Sequence, residues 1–333
     1  MTSLPRRLLI LASVLAATSC GGGATAPHAS RPALPASTSA TTWVAPVPTA
    51  GAEPYHLALG PDGSVWFTEL QGNRIGRVVP GGAISEYALP DPGSKPHGPA
   101  VATDGNVWVA ESGRDRIARI TPLGAIPEFP LTPGSGPAHV VQGADRNIWI
   151  TESGLHRIGR MSLSGKVLDE FPIPTRQTNL NGIAATPDGG IWFAEPDANK
   201  IGRVSAQGDF REYPIPTVDS GTAHLIGMSD GSVWFAENGA SKIGHLTLDG
   251  QFTERLLPSD HGGSSTVAAG RDGAIWVTEQ RAGRVVRISP AGGMTEFPIP
   301  GSDPVGIVVG PDGTVWVAED EGNQIARLLP PAV

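Results

Sequence analysis

The chain writes one short pattern seven times. Residues 65–69 read VWFTE, and VWVAE, IWITE, IWFAE, VWFAE, IWVTE and VWVAE follow. Each is aliphatic–Trp–aliphatic–small–Glu, an apolar run too short for a helix and suited to a buried strand. The tryptophans are Trp66, Trp108, Trp149, Trp192, Trp234, Trp276 and Trp316, spaced 40 to 43 residues apart. Between them lie short alternating or apolar runs bounded by Gly, Asp, Asn and Pro, with no sustained 3.6-residue period. Residues 181–216 show one unit: NGIAAT, the turn PDGG, IWFAE, the turn PDAN, KIGRVS, the turn AQG, and an outer run DFREYPIP. Four short strands repeating at this period predict an all-β, seven-bladed propeller of four-stranded blades.

Two further patterns fix the blade. An aspartate precedes each tryptophan by four residues (Asp62, Asp104, Asp145, Asp188, Asp230, Asp272, Asp312), and all but Asp145 are followed by Gly. Asp-Gly is a tight-hairpin signal, because Gly accepts positive φ. The tryptophan is expected between neighbouring blades, where a large flat side chain buries much area. The seventh unit ends after QIARLLP without an outer strand, whereas WVAPVP (Trp43–Pro48) resembles the outer pattern EFPIP. The N-terminal segment is therefore expected to complete the last blade and close the ring, leaving no open sheet edge.

Composition changes the picture at the N-terminus. Arg6 and Arg7 precede an apolar run, Leu8 to Ala17, too short to span a bilayer as a mature helix. It ends at Cys20, the only cysteine, in a context that resembles a bacterial lipobox. Residues 1–20 read as a lipoprotein signal peptide, 21–42 as a flexible Pro/Ser/Ala-rich tether, and 43–330 as the propeller. The expected location is the cell envelope, with the exported chain anchored through lipid on Cys20 and touching the membrane only there. No disulfide can form within one chain. The net charge of −8 offers no basic patch to neutralise phosphates, so a nucleic-acid partner is not expected. A monomer is expected.

Inner strands start, and second strands end, at the same end of the channel. The glutamates Glu69, Glu111, Glu152, Glu195, Glu237, Glu279 and Glu319 are invariant among the blades. The opening positions fourteen residues earlier vary: Tyr55, His97, Ala138, Asn181, Ala223, Ser265 and Val305, followed by His56, Gly98, His139, Gly182, His224, Thr266 and Gly306. Four of the eight histidines thus fall on one rim, which suits substrate hydrogen bonding, metal ligation or general-base work. A scaffold glutamate would pair with the base eight residues on (Arg77, Arg119, Arg160, Arg203, His245, Arg287, Arg327) or accept backbone hydrogen bonds. Glutamates converging on the rim would instead need a hard divalent cation such as Mg²⁺.

The units P-H-G, D-G-x-[IV]-W-F-[TA]-E, [NK]-x-I-G-R and E-[YF]-x-[IL]-P resemble those of the streptogramin B lyases over about residues 43–330. The resemblance implies a Mg²⁺-dependent carbon–oxygen lyase, associated with antibiotic resistance, that opens a cyclic depsipeptide by elimination at its ester bond. It implies a histidine base in Pro-His-Gly, metal-ligating glutamates two residues before and fourteen after it, and a second histidine from the adjacent blade holding substrate. Carried over, Pro96–His97–Gly98 matches the base and Glu111 the downstream ligand, while the upstream position is Lys95. Glu53–Pro54–Tyr55 with Glu69 keeps both carboxylates but has Tyr in place of the base, followed by His56. The candidate site is therefore composite: His97, Tyr55 and His56 for catalysis, and Glu53, Glu69 and Glu111 for Mg²⁺.

The expected ligand is a small molecule or cyclic peptide at the channel rim. The alternative is a non-catalytic envelope propeller that binds a ligand, glycan or protein there, since a fold does not dictate function. A metal-dependent lactonase of related type is a third reading, with Asn179 and Asn181 as its candidates.

Overall fold

The computed structural model describes residues 40–301 and 303–331. The expected signal segment and Cys20 lie outside them, as does most of the tether. Seven antiparallel four-stranded sheets follow one another along the chain. The inner strands are Pro54–Leu59, Pro96–Val101, Pro137–Gln142, Ile183–Ala185, Thr222–Gly227, Ser264–Ala269 and Pro304–Val309, here numbered blades one to seven. The repeated motif is the second strand of every blade, Val65–Glu69 in the first and Val315–Glu319 in the last. The fold is the seven-bladed propeller read from the sequence.

The ring closes as expected. Thr41–Pro46 pairs antiparallel with Gln324–Leu329, Trp43 facing Arg327, and becomes the outer strand of blade seven. It begins two residues before the boundary read from the sequence. Asn323 tightens the seam, donating to the carbonyls of Val47 and Thr49 and accepting from the Ala52 amide at 2.8 Å.

Hydrophobic packing is organised between blades. Trp66 packs with Val107 and Val109 of the next blade, Trp108 with Ile148 and Ile150, and Trp316 with Val65 and Phe67 across the closure. Seven such clusters link the seven blades. Each motif tryptophan except Trp234, which is only partly buried, is at most 8% exposed.

The base eight residues after each glutamate does not serve the glutamate. It stands opposite the tryptophan, as Arg77 opposite Trp66 and Arg203 opposite Trp192. Its guanidinium lies over the indole, 5.4 Å from the centroid in both pairs, while its end reaches the hairpin aspartate, Arg77–Asp62 at 2.5 Å and Arg203–Asp188 at 2.6 Å. In blade five His245 takes the place and stacks on Trp234 at 4.5 Å. The aspartate also accepts the amide two residues on, which shapes the hairpin.

The glutamate instead faces the residue five positions on: Arg74, Arg116, Arg157, Lys200, Lys242, Arg284 or Gln324. All seven glutamates are fully buried. Glu152 bonds Arg157 at 2.8 Å, and Arg157 bonds Glu170 of the outer strand at 2.6 Å. Burial and the outer-strand Glu86 push Glu69 up to about 8; burial and Glu128 push Glu111 up to about 7. The repeated glutamate is part of the blade interior rather than a ring of carboxylates facing the channel.

Candidate functional site

The inner strands bend where they begin. Their register against the second strand shifts between Pro54 and Leu57, between Pro137 and Val140, and between Ser264 and Val267. Such a bulge frees an amide from the ladder and re-aims a side chain. The freed amides of His56, His139 and Thr266 are taken by the hydroxyls of Thr68, Thr151 and Thr278, at 3.1, 3.0 and 3.0 Å. These threonines are the fourth letter of the motif in blades one, three and six. Where that letter is Ala, the inner position is Gly98, Gly182 or Gly306, with His224 the exception.

The glycines have a steric reason. A Cβ on Gly98 would stand 2.3 Å from the His139 ring, one on Gly182 2.9 Å from the His224 Cα, and one on Gly306 2.2 Å from the Tyr55 carbonyl oxygen. Around the channel the order is His, Gly, His, Gly, His, Thr, Gly. Small residues leave room for the next blade's large one, as in the interiors of narrow barrels.

The result is a histidine cluster in the channel. The His56 ring lies 4.5 Å from His139, 5.1 Å from His97 and 5.9 Å from His224, centroid to centroid. The Nε2 atoms of His56 and His139 are 3.2 Å apart. Tyr55 packs against His56 at 4.5 Å and His97 at 5.2 Å. His56 and His139 are buried; His97, His224 and Tyr55 are half-buried. Burial lowers His97 and His224 to about 4, and burial with mutual repulsion holds His56 and His139 well below the ordinary histidine value. All four are therefore neutral at neutral pH. On the hairpin side, His139 and His224 border a cavity of about 390 Å³ with Leu57, Leu225 and Val267 among its walls.

Carboxylates gather beside Tyr55, and only one of them was expected. Burial, with Glu53, Asp303 and Glu321 nearby, raises Asp320 to about 6. Burial and Asp320 in turn raise Tyr55. The structure thus groups Tyr55, His56 and His97 and sets Glu53 with Asp320 at the seam between blades one and seven. Glu69 and Glu111 lie inside their own blades. Sequence reasoning missed Asp320 and Asp303, yet both break a pattern. The residue after each motif glutamate is Leu70, Ser112, Ser153, Pro196, Asn238 or Gln280, and acidic only at Asp320. Two residues before the opening position, Gly136, Gly221 and Gly263 adopt left-handed φ. Glu53, Lys95 and Asp303 hold that conformation at the same place, at φ 54, 49 and 60°. Non-glycine residues adopt it at a cost, so three adjacent blades keep charged side chains where glycine would be easier.

Comparison with known proteins agrees with this architecture. The profile of the virginiamycin B lyase family matches residues 34–259 and 92–331. A streptogramin B lyase structure superposes with a TM-score of 0.83 at 30% identity, covering 88% of this chain and 98% of its own. A catalytically inactive histidine-to-alanine form of the virginiamycin B lyase of Staphylococcus aureus with quinupristin gives 0.82 at 32%, covering 87% and 99%. Virginiamycin B lyases of Bordetella parapertussis and Bordetella bronchiseptica are 53% identical over 36 residues, which is 11% of this chain and 12% of each of theirs. The chain belongs to the virginiamycin B lyase family.

Proposed function

We propose that this protein is a carbon–oxygen lyase that opens a cyclic ester, of the depsipeptide kind, by elimination at the channel mouth. The observation that carries the proposal is the convergence of Tyr55, His56 and His97 beside Glu53 and Asp320, in a chain of this family. Elimination needs a base that takes a proton from the carbon next to a carbonyl. His97 is only half-buried and is neutral, so its ring offers a free lone pair to a ligand at the rim. The electrons of the broken C–H bond form the double bond, the ester C–O bond breaks, and the carboxylate leaves without addition of water. Tyr55, kept protonated, can donate a hydrogen bond to an oxygen of the ligand. His56 lies behind both rings and fixes their positions.

The donor set at the seam suits Mg²⁺. Burial first, and then the neighbouring Glu53, Asp303 and Glu321, raise Asp320, and carboxylates are hard oxygen ligands. Glu53 and Asp320 would hold the ion, with Asp303 beside them. When bound, it would supply positive charge to the developing enolate-like oxygen. Glu69 and Glu111 would act from within the blades, by shaping the loops that carry Pro54 and Pro96.

The test is kinetic. His97→Ala should lower kcat/KM for a streptogramin B-type cyclic depsipeptide by about 10²–10⁴-fold, the usual worth of a general base. Glu53→Gln should weaken the dependence on added Mg²⁺. The acidic limb of the free-enzyme profile should lie near pH 4 rather than at the ordinary histidine value. Unchanged turnover in both variants would remove the proposal.

A further inference from the structure

We propose that the channel itself is a binding site for a divalent transition-metal ion of the zinc class, held by His56, His97 and His139. Among the described residues, these three form the group whose candidate ligand atoms lie within 4.8 Å of one another. Two nitrogens bound at about 2.0–2.1 Å to a tetrahedral ion stand roughly 3.3 Å apart. The Nε2 atoms of His56 and His139 are 3.2 Å apart. The same two atoms can share one N–H···N hydrogen bond, but that leaves the rest of the cluster unexplained. The Nδ1 of His97 is buried with no hydrogen-bond partner, so that bond does not account for the third ring.

The backbone holds two of the ligands in advance. Thr68 and Thr151 fix the bulged amides of His56 and His139, and Gly98 makes the space that the His139 ring fills. An all-imidazole set selects zinc, copper, nickel or cobalt over Mg²⁺, which prefers oxygen. Three protein ligands leave the fourth position for water or a ligand oxygen. This site is distinct from the carboxylates beside Tyr55. His97 cannot offer one lone pair both to a proton and to an ion, so an ion here would compete with the elimination.

The readout is binding, so the inference is judged independently of lyase activity. Untagged protein is stripped with chelator, titrated with Zn²⁺ by calorimetry, and loaded with Co²⁺ for absorption spectroscopy. One ion per chain and an intense tetrahedral Co²⁺ spectrum are expected. His56→Ala and His139→Ala should each lower the affinity by more than the about 10–100-fold that outer-shell changes bring. His261→Ala, at an exposed position, should leave it unchanged. His139→Gln is measured beside the alanine variant, with melting curves for each, to separate loss of ligand from loss of fold. Absence of stoichiometric binding, or binding that survives in folded His56 and His139 variants, would overturn the inference.

Discussion

At the residue scale, the site is set by positions where the repeat is broken. Glycine at residue 98 carries φ +23° and abuts His139. Gly98→Ala should therefore destabilise the fold by about 1–3 kcal/mol, as overpacking does. Gly81→Ala, with open space around its Cβ, should not; denaturant midpoints compare the two. Thr151→Ala removes the acceptor of the His139 amide and should cost about 1–3 kcal/mol, with Thr151→Ser restoring most of it. Glu53 argues in the opposite direction. Replacing it by Gly relieves a left-handed non-glycine residue, so Glu53→Gly should hold or raise stability, by up to about 1 kcal/mol, while reducing turnover. A variant that loses stability and keeps activity would show that Glu53 serves the loop alone. The histidines were legible in the sequence because they fall on the opening positions or the residues just after them. Their alternation with glycine is written there too, but its reason is not, because it lies in contact between neighbouring blades.

At the scale of the strand, the repeated motif resolves into separate tasks. Tryptophan joins blade to blade, the base eight residues after the glutamate stacks on the tryptophan, and the glutamate fills the blade interior. The sequence showed that base and that glutamate at constant spacing and suggested that they pair. The two-residue alternation of a strand sends them to different neighbours, a consequence of register that spacing alone does not reveal. The buried carboxyls have a pH signature. Glu69 is raised to about 8, and Glu111, Glu195, Glu237 and Glu319 to about 7. Between the ordinary carboxyl value and these, the folded chain binds more protons than the unfolded one, so stability falls as pH rises. The buried histidines act oppositely, but only below their ordinary value of 6.5, where the unfolded chain gains protons that the folded chain refuses. The melting temperature should therefore fall from about pH 6.5 to about pH 8, and Glu69→Gln should flatten that slope. A melting temperature that rises over that window would contradict the assignment.

At the scale of the whole molecule, closure places the site. Thr41–Pro46 completes blade seven, and the seam it closes carries Glu53 from one end of the chain and Asp303 and Asp320 from the other. The closing strand was readable because WVAPVP repeats an outer-strand pattern. The acidic group was not, because its members are far apart in sequence and meet only when the ring shuts. Removing the closing strand should expose the edge of Gln324–Leu329 and the Trp316 face, with self-association visible by light scattering. The central claim is that this rim opens a cyclic ester by elimination. The most direct measurement is the mass of the product formed from quinupristin with Mg²⁺ present. A linear product of unchanged mass, carrying a new double bond and absent with His97→Ala, is predicted. A product heavier by one water, or no product at all, would contradict it.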